Sequence, residues 1–241
     1  MSFQNVYEDD QRARAYAKLE FPGTYYLAYR EVPGIIGEYA SGRRALDFGC
    51  GAGRSTRFMQ KLGFETVGVD ISRNMINQAR AVDPDGDYRL ISETGLSKFA
   101  EASFDLVMCA FPFDNVPTMA TKVALFSELG RVLSDGGIII NLVSSPEIYL
   151  NEWASFSTKD FPENRDAQSG DQVRIIMKDV ADQRPVEDIL WSDDAYRETY
   201  RQAGLGLVRT VRPLGRRDEP YDWVSETKIA PWTIYILKRQ A

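Results

Sequence analysis

A turn of three alternating glycines follows a short apolar run, and the next apolar run ends on a carboxylate. The first segment reads Ala-Leu-Asp-Phe-Gly-Cys-Gly-Ala-Gly over residues 45–53, and the second, over 66–70, ends at Asp70. Glycines let the backbone approach a ligand closely, and a helix after the turn points free N–H groups at it. A carboxylate at the tip of a neighbouring strand can accept hydrogen bonds from both hydroxyls of a ribose. The pairing therefore predicts a nucleoside site.

The spacing of the glycines distinguishes two kinds of nucleoside site. A dinucleotide motif, G-x-G-x-x-G, places its third glycine inside the helix. Counted from Gly49, that third position holds Arg54. The spacing Gly49, Gly51, Gly53, with an acid at Asp47, instead resembles the first motif of class I S-adenosylmethionine-dependent methyltransferases.

Two later segments also resemble this family. Residues 102–111, ASFDLVMCAF, are similar to its fourth strand, and residues 125–143 are similar to the helix, turn and fifth strand that follow. The resemblance covers residues 40–145 well and 186–240 by general pattern. Two alternatives stay open: an NAD(P)-dependent oxidoreductase, and a methyltransferase-like fold that binds the cofactor without transferring methyl.

The resemblance implies S-adenosyl-L-methionine as cofactor and S-adenosyl-L-homocysteine as product. Asp70 would then accept from the ribose hydroxyls, Glu93 from the adenine amino group, and Arg54 would meet the carboxylate. Arg14 and Tyr16 are alternatives for the carboxylate, although Arg14 is equally well explained as an exposed helix charge. The implied cofactor-binding residues are Asp47, Gly49, Cys50, Gly51, Gly53, Arg54, Asp70, Ile71, Glu93, Thr94, Ala110, Phe111, Arg14 and Tyr16.

Two stretches that follow strands four and five, 111–116 and 144–153, could shape a pocket for the methyl acceptor. Their aromatic residues suit a small organic molecule with an N or O nucleophile, including an amine, since aromatic faces attract cations. The same rings could equally serve to pack an insertion onto the sheet. The candidate catalytic residues are Asp114, Glu147 and Tyr149, and the candidate substrate-binding residues are Phe113, Asn115, Glu147, Tyr149 and Trp153.

Composition excludes several kinds of chemistry. The 241 residues carry a formal net charge of −6, contain no histidine and contain two cysteines. Without histidine, a His base, a Ser–His or Cys–His pair and a His-ligated metal are excluded, and we expect no metal. The acidic balance argues against binding to nucleic acid. The polar start and the lack of a long apolar run predict a cytoplasmic protein without a membrane segment, either a monomer or a homodimer.

Strands that alternate with helices predict an α/β fold with a parallel sheet covered on both faces. The resemblance implies a three-layer sandwich around a seven-stranded sheet, in which the last strand runs antiparallel. We expect one methyltransferase domain over 1–241, with an N-terminal helical cap at 1–40, broken at 21–23, and a small antiparallel insertion at 144–191 over the substrate site. Predicted strands are 44–48, 65–70, 87–91, 104–110, 138–143, 172–180, 186–191, 205–211 and 233–237, and predicted helices are 54–62, 72–82, 118–133 and 193–203.

Overall fold

The computed structural model of the chain describes residues 19–92 and 95–240. Its helices are α1 (Thr24–Arg30), α2 (Val32–Tyr39), α3 (Arg54–Lys61), α4 (Arg73–Val82), α5 (Met119–Val132) and α6 (Asp193–Gln202). Its strands are β1 (Arg44–Phe48), β2 (Glu65–Asp70), β3 (Asp87–Leu90), β4 (Phe104–Ala110), β5 (Leu133–Ser144), β6 (Phe156–Ser157), β7 (Gln172–Met177), β8 (Val186–Ile189), β9 (Leu205–Val211) and β10 (Trp232–Arg239). Within these ranges, no helix has the length and apolar character needed to cross a membrane.

Seven strands form one sheet in the order β3-β2-β1-β4-β5-β10-β9. The strands β1 to β5 pair in parallel, whereas β10 runs antiparallel to both of its neighbours. Side chains of β5 alternate between two cores: Ile138 and Ile140 pack on the side of α1 and α2, and Ile139 packs on the side of α5 and α6. The predicted three-layer α/β fold with an antiparallel last strand is confirmed.

Helix starts follow the local capping chemistry of the sequence. The hydroxyl of Ser72 accepts from Met75 N, that of Thr118 from Thr121 N, and that of Ser192 from Ala195 N. Each hydroxyl satisfies one of the N–H groups that a helix start leaves unpaired. Helices α4, α5 and α6 therefore begin where serine or threonine precedes the periodic apolar pattern.

The N-terminal segment breaks at one more point than predicted. Within the described residues, two helices follow Gly23, because α1 ends at Arg30 and α2 begins at Val32. Pro33 lies in the first turn of α2, where its missing N–H costs nothing, but it cannot continue α1. The predicted helix before residue 19 lies outside the described residues.

The fifth strand begins five residues earlier than the predicted 138–143. Leu133 pairs with Phe104, and pairing resumes between Ile138 and Leu106, so residues 134–137 form a bulge within β5. Gly136 in this bulge has a φ of 78°. The Ser-Asp-Gly-Gly sequence therefore lies inside the strand as a bulge, rather than in a turn before it.

The insertion after β5 forms a three-stranded antiparallel sheet in the order β6-β7-β8. The sequence predicts the β7–β8 pair but gives strand ends at 180 and 191, beyond the observed Met177 and Ile189. It misses β6, because two residues are too few to show a period. Strand β8 packs against the short 3₁₀ helix Pro112–Asn115 that follows β4, and this contact brings the insertion to the carboxyl ends of the parallel strands.

Candidate active site

The glycine turn lies between β1 and α3 and is held by backbone hydrogen bonds. Gly49 N and Cys50 N both donate to Val69 O, at 2.9 and 3.0 Å, which ties the turn to the end of β2. Gly51 has a φ of 52°, in the left-handed region, and a Cβ placed on it would meet no atom within 4 Å. The turn therefore presents bare backbone to open space, as a close-fitting ligand requires.

Asp70 closes the same edge of the sheet from the end of β2. Its Oδ2 accepts from Gly51 N and its Oδ1 from Ser72 N, both at 2.8 Å. Each carboxylate oxygen has a second lone pair, and Asp70 lines the same cavity as Gly51. The carboxylate is thus both a support for the glycine turn and an acceptor facing the cavity.

The cavity measures about 500 Å³ and spans the carboxyl ends of β1, β2, β4 and β5. Its volume lies in the range of sites for small molecules and cofactors. Of the predicted site residues, Gly49, Cys50, Gly51, Arg54, Asp70, Ile71, Ala110, Phe111, Asp114, Asn115 and Tyr149 line it.

Arg54, the first residue of α3, lies where the cavity meets the N-terminal helices. Its guanidinium carbon lies 4.7 Å from the ring centroid of Tyr25 and 5.5 Å from that of Tyr29. Its Nη1 donates to Glu20 O at 2.6 Å. The rings and the carbonyl hold the cation beside the glycine turn, where it can meet an anionic group of a ligand.

Several predicted site residues lie away from the cavity. Phe113 and Trp153 are fully buried in the apolar cores, and Glu147 is exposed on the insertion. Gly53 packs against Tyr88, whose hydroxyl would lie 2.6 Å from an added Cβ. The structure therefore gives these four residues supporting or surface positions. Four further predicted residues, Arg14, Tyr16, Glu93 and Thr94, lie outside the described residues.

Asp47 lies behind the glycine turn rather than in the cavity. Its Oδ2 accepts from Ser55 Oγ and Thr56 Oγ1, both at 2.6 Å, which anchors the first turn of α3 to β1. Its Oδ1 has no hydrogen-bond partner within the described part of the chain. Burial raises the pKa of Asp47 to about 6, against the opposing effect of the two hydroxyls.

This raised pKa predicts a pH-dependent stability. Between pH 4 and 6 the unfolded chain ionises Asp47 while the folded chain retains the proton, so the stability contribution present below pH 4 is lost as the pH rises through 6. The shift corresponds to about 3 kcal/mol. We expect the unfolding free energy of Asp47→Asn, relative to the wild type, to rise by about 2 kcal/mol of this from pH 4 to 6.5 in urea titrations. A difference that stays constant with pH would contradict this assignment.

The far end of the cavity is aromatic. Phe111, the first residue after β4, has a φ of 70°, and its ring centroid lies 4.7 Å from that of Trp232 and 5.9 Å from that of Tyr25. Phe156 from β6 packs against the same two rings. A left-handed, non-glycine residue costs conformational energy, and here it holds an aromatic side chain in the cavity wall.

Two carboxylates lie in this aromatic wall. Asp114 accepts from Ser144 N at 3.1 Å, and Asp188 accepts from the hydroxyl of Tyr149 at 3.0 Å. Both carboxylates raise the pKa of Tyr149, in addition to the larger effect of its burial. Sequence reasoning missed Asp188, although alternation in β8 places it on the same face as the buried Val186.

Lys122 is a second residue that sequence reasoning missed. It is fully buried in α5, its Nζ donates to Phe113 O, and it lies 4.9 Å from the ring centroid of Trp191. Burial lowers the pKa of Lys122, and the nearby Asp114 and Asp188 oppose that effect. Its spacing from Phe126 and Leu129, four and seven residues on, places it on the apolar face of the helix and could have indicated its burial.

Removing this cation should destabilise the fold. We expect Lys122→Met to lower the unfolding free energy by about 3 kcal/mol, because Asp114 and Asp188 would lose a buried cation and Phe113 O its donor. Urea denaturation measures the loss. In the double variant with Asp114→Asn the loss should be smaller than the sum of the two single losses, because the two groups interact; strict additivity would show that they do not.

Comparison with known proteins gives the same interpretation of the fold. Residues 46–141 match the family described as a methyltransferase domain. The ubiquinone biosynthesis O-methyltransferase of Methylococcus capsulatus is 32% identical over 95 residues, covering 38% of this chain and 40% of that protein. The N-demethylindolmycin N-methyltransferase of Streptomyces griseus is 25% identical over 210 residues, covering 86% and 87%.

A solved structure extends the likeness to nearly the whole chain. An S-adenosylmethionine-dependent methyltransferase from Clostridium acetobutylicum superposes with a TM-score of 0.63 at 13% identity, covering 94% of each chain. The chain itself spans less than half the length of the ubiquinone-biosynthesis relative. The family match over residues 46–141 and the sheet order around it show that the chain has the Rossmann-like fold of the methyltransferases that it resembles.

Proposed function

We propose that the chain is an enzyme that transfers a methyl group from S-adenosylmethionine to a nitrogen or oxygen atom of a small organic acceptor by direct in-line displacement. One observation supports this most strongly: a single cavity joins the glycine turn and Asp70 to an aromatic wall with two carboxylates. The family and the fold imply the cofactor. The relatives named above include one O-methyltransferase and one N-methyltransferase.

The residues present fit S-adenosylmethionine. The open space beside Gly51 can receive a ligand against the backbone, and Asp70 can accept from ribose hydroxyls. Arg54 offers a cation for a carboxylate group. When bound, the cofactor supplies a methyl group on a sulfonium, and its leaving group is neutral.

The chain's own residues would therefore mainly orient the acceptor and exclude water. Tyr25 from α1, Phe156 from the insertion and Trp232 from β10 close the cavity with apolar surface. We propose that the region 144–191 covers the acceptor and that residues 1–241 act as one domain. Asp114 and Tyr149, which line the cavity, stay candidates for proton handling, whereas Glu147 is exposed and does not line it.

A transfer assay tests this function. The full chain is incubated with S-adenosylmethionine carrying a tritiated methyl group and with a set of small amines, phenols and alcohols. We expect label on at least one amine or hydroxyl compound, with S-adenosylhomocysteine formed in equal amount. Binding of the cofactor without label transfer to any compound would support the non-catalytic alternative instead.

A further inference from the structure

The start of α1 is tied to three distant parts of the chain through one threonine. Thr24 N donates to Ser155 Oγ at 2.9 Å, and Thr24 Oγ1 accepts from Ser155 N at 3.0 Å. The same hydroxyl donates to Glu226 Oε1 at 2.6 Å, and Thr24 O accepts from Trp232 Nε1 at 2.7 Å. All three polar atoms of Thr24 are therefore engaged, by partners that lie 131 to 208 positions away in the chain.

Glu226 completes this arrangement from the segment between β9 and β10. Its side chain is fully buried, and besides Thr24 Oγ1 it accepts from Ala154 N at 2.7 Å and from Val224 N at 2.8 Å. A buried carboxylate needs such donors, because no water replaces one that is lost. We call Thr24, Ser155 and Glu226 the latch.

A glycine permits the close approach of α1 to the insertion. Gly23, the residue before α1, has a φ of 47° and a ψ of −123°, a conformation that residues with a side chain rarely adopt. A Cβ added there would lie 2.4 Å from Ser155 Oγ. The hydrogen bonds of the latch therefore depend on a glycine at this position.

The latch lies beside the aromatic wall of the cavity but does not line the cavity itself. Tyr25 and Phe156 each directly follow a latch residue in the chain, and Trp232 bonds to one. The rings of Tyr25 and Phe156 lie 5.2 Å apart, and each lies 5.6 Å from the ring of Trp232. A movement that separates α1 from the insertion would therefore also separate rings of the cavity wall.

We propose that the latch residues are positioning residues that hold the aromatic wall closed, and that a ligand enters or leaves the cavity when the latch parts. This proposal rests on the proposed function, because the ligand used to test it is the product of the cofactor. The closed wall reaches the cofactor end of the cavity, since the ring of Tyr25 contacts Arg54.

The Thr24 hydroxyl affects the closed and open states differently. In the closed state it is a buried partner of both Ser155 N and Glu226 Oε1. Once the latch parts, water can bond to these two groups instead. A variant without the hydroxyl leaves them unpaired only in the closed state, so it should shift the equilibrium towards the open one.

Two substitutions of Thr24 form a matched pair for the first test. Thr24→Val removes the hydroxyl and keeps the shape of the side chain, whereas Thr24→Ser keeps the hydroxyl. Surface plasmon resonance on the immobilised full chain measures the dissociation rate of S-adenosylhomocysteine. We expect Thr24→Val to raise this rate at least about tenfold, because two buried groups lose their partner in the closed state, and Thr24→Ser to keep the wild-type rate.

Hydrogen exchange in the ligand-free chain gives a second readout. Each variant is read at an amide whose own acceptor atom it leaves in place: Ala154 N for Thr24→Val, and Ser155 N for Glu226→Gln. Glutamine keeps the size of Glu226 but turns an amide nitrogen towards donors that need an acceptor. We expect exchange at the distant amide to be at least about tenfold faster in each variant, because one broken bond destabilises the whole closed latch.

Thr199→Val is the matched control. Thr199 is also fully buried, but its hydroxyl donates to Ala195 O at 2.8 Å within α6, and it does not line the cavity. Its variant should keep the wild-type dissociation and exchange rates. Circular dichroism shows whether each variant is folded, and Glu226→Gln carries both measurements if Thr24→Val does not fold.

Wild-type dissociation and exchange rates in the folded latch variants would overturn the proposal, and so would an equal increase in Thr199→Val. Failure of the wild type to bind S-adenosylhomocysteine would contradict the proposed function instead. In that case exchange at the two amides would still decide whether the latch holds α1 to the insertion.

Discussion

Asp70→Ala should weaken binding of S-adenosylhomocysteine by about 100-fold or more. Two hydrogen bonds from ribose hydroxyls to a carboxylate contribute about 1.5–3 kcal/mol each, and alanine removes both. The substitution also removes the acceptor for Gly51 N and Ser72 N, so the glycine turn loses its tie to the end of β2. Isothermal titration calorimetry of the purified variant measures the change.

The control for this variant is Asp87→Ala, which removes an exposed carboxylate from the start of β3, where it pairs with Arg89. That variant should bind S-adenosylhomocysteine as the wild type does. Circular dichroism shows whether Asp70→Ala remains folded. A folded Asp70→Ala protein with wild-type affinity would contradict the assignment of Asp70 to the ribose.

Gly51→Ala should abolish cofactor binding while leaving the fold largely intact. The added methyl group meets no protein atom within 4 Å, so its steric cost in the free protein is limited to the left-handed backbone, about 1–2 kcal/mol. The same methyl group would occupy the space in which the cofactor must approach the turn. We therefore expect a modest fall in melting temperature. We also expect the affinity for S-adenosylhomocysteine, measured by calorimetry, to fall at least about 100-fold, because the ligand could bind only if the turn or the ligand shifted away from the added methyl group.

Gly63→Ala is a closely matched control. Gly63 also has a left-handed backbone, with a φ of 90°, and a Cβ there also meets no atom within 4 Å, but the residue does not line the cavity. Its variant should lose similar stability and keep full affinity for S-adenosylhomocysteine. Equal affinities of the Gly51 and Gly63 variants would show that the cofactor does not lie against the turn.

Local sequence signals were sufficient for the central sheet. The bounds of β1, β2, β4 and β9 agree with the prediction. The first three are largely apolar runs whose ends are marked by a glycine turn, an acid or a proline two residues on. The start of β5 was wrong, because the Ser-Asp-Gly-Gly turn gives the same local signal whether it precedes a strand or bulges out of one. The break before Pro33 was missed, although the proline that causes it is visible in the sequence.

The site residues likewise fall into those that local sequence signals indicate and those that long-range packing brings together. Gly49, Gly51, Arg54 and Asp70 come from one contiguous motif and its neighbouring strand, and the structure places all four at the cavity; their contact with a cofactor stays a prediction. The aromatic wall depends instead on distant parts of the chain. Trp232 Nε1 donates to Thr24 O at 2.7 Å across 208 positions, and this contact places the indole beside Tyr25.

Long-range packing also decides which predicted acceptor residues reach the cavity. Tyr149 and Trp153 lie four positions apart in one aromatic stretch, yet Tyr149 lines the cavity and Trp153 donates to Ile148 O within the core. Residue type cannot separate the two roles, because both rings bury apolar surface and both satisfy a polar atom. Only the fold of the insertion distinguishes them.

The measurement that tests the account most directly is calorimetric titration of the unmodified chain with S-adenosylhomocysteine, followed by a separate titration with NADH. The arrangement of Gly51, Asp70 and Arg54 predicts a dissociation constant in the micromolar range for S-adenosylhomocysteine and no binding of NADH. Tight binding of NADH without binding of S-adenosylhomocysteine would show that the glycine turn serves a dinucleotide, and would contradict the account.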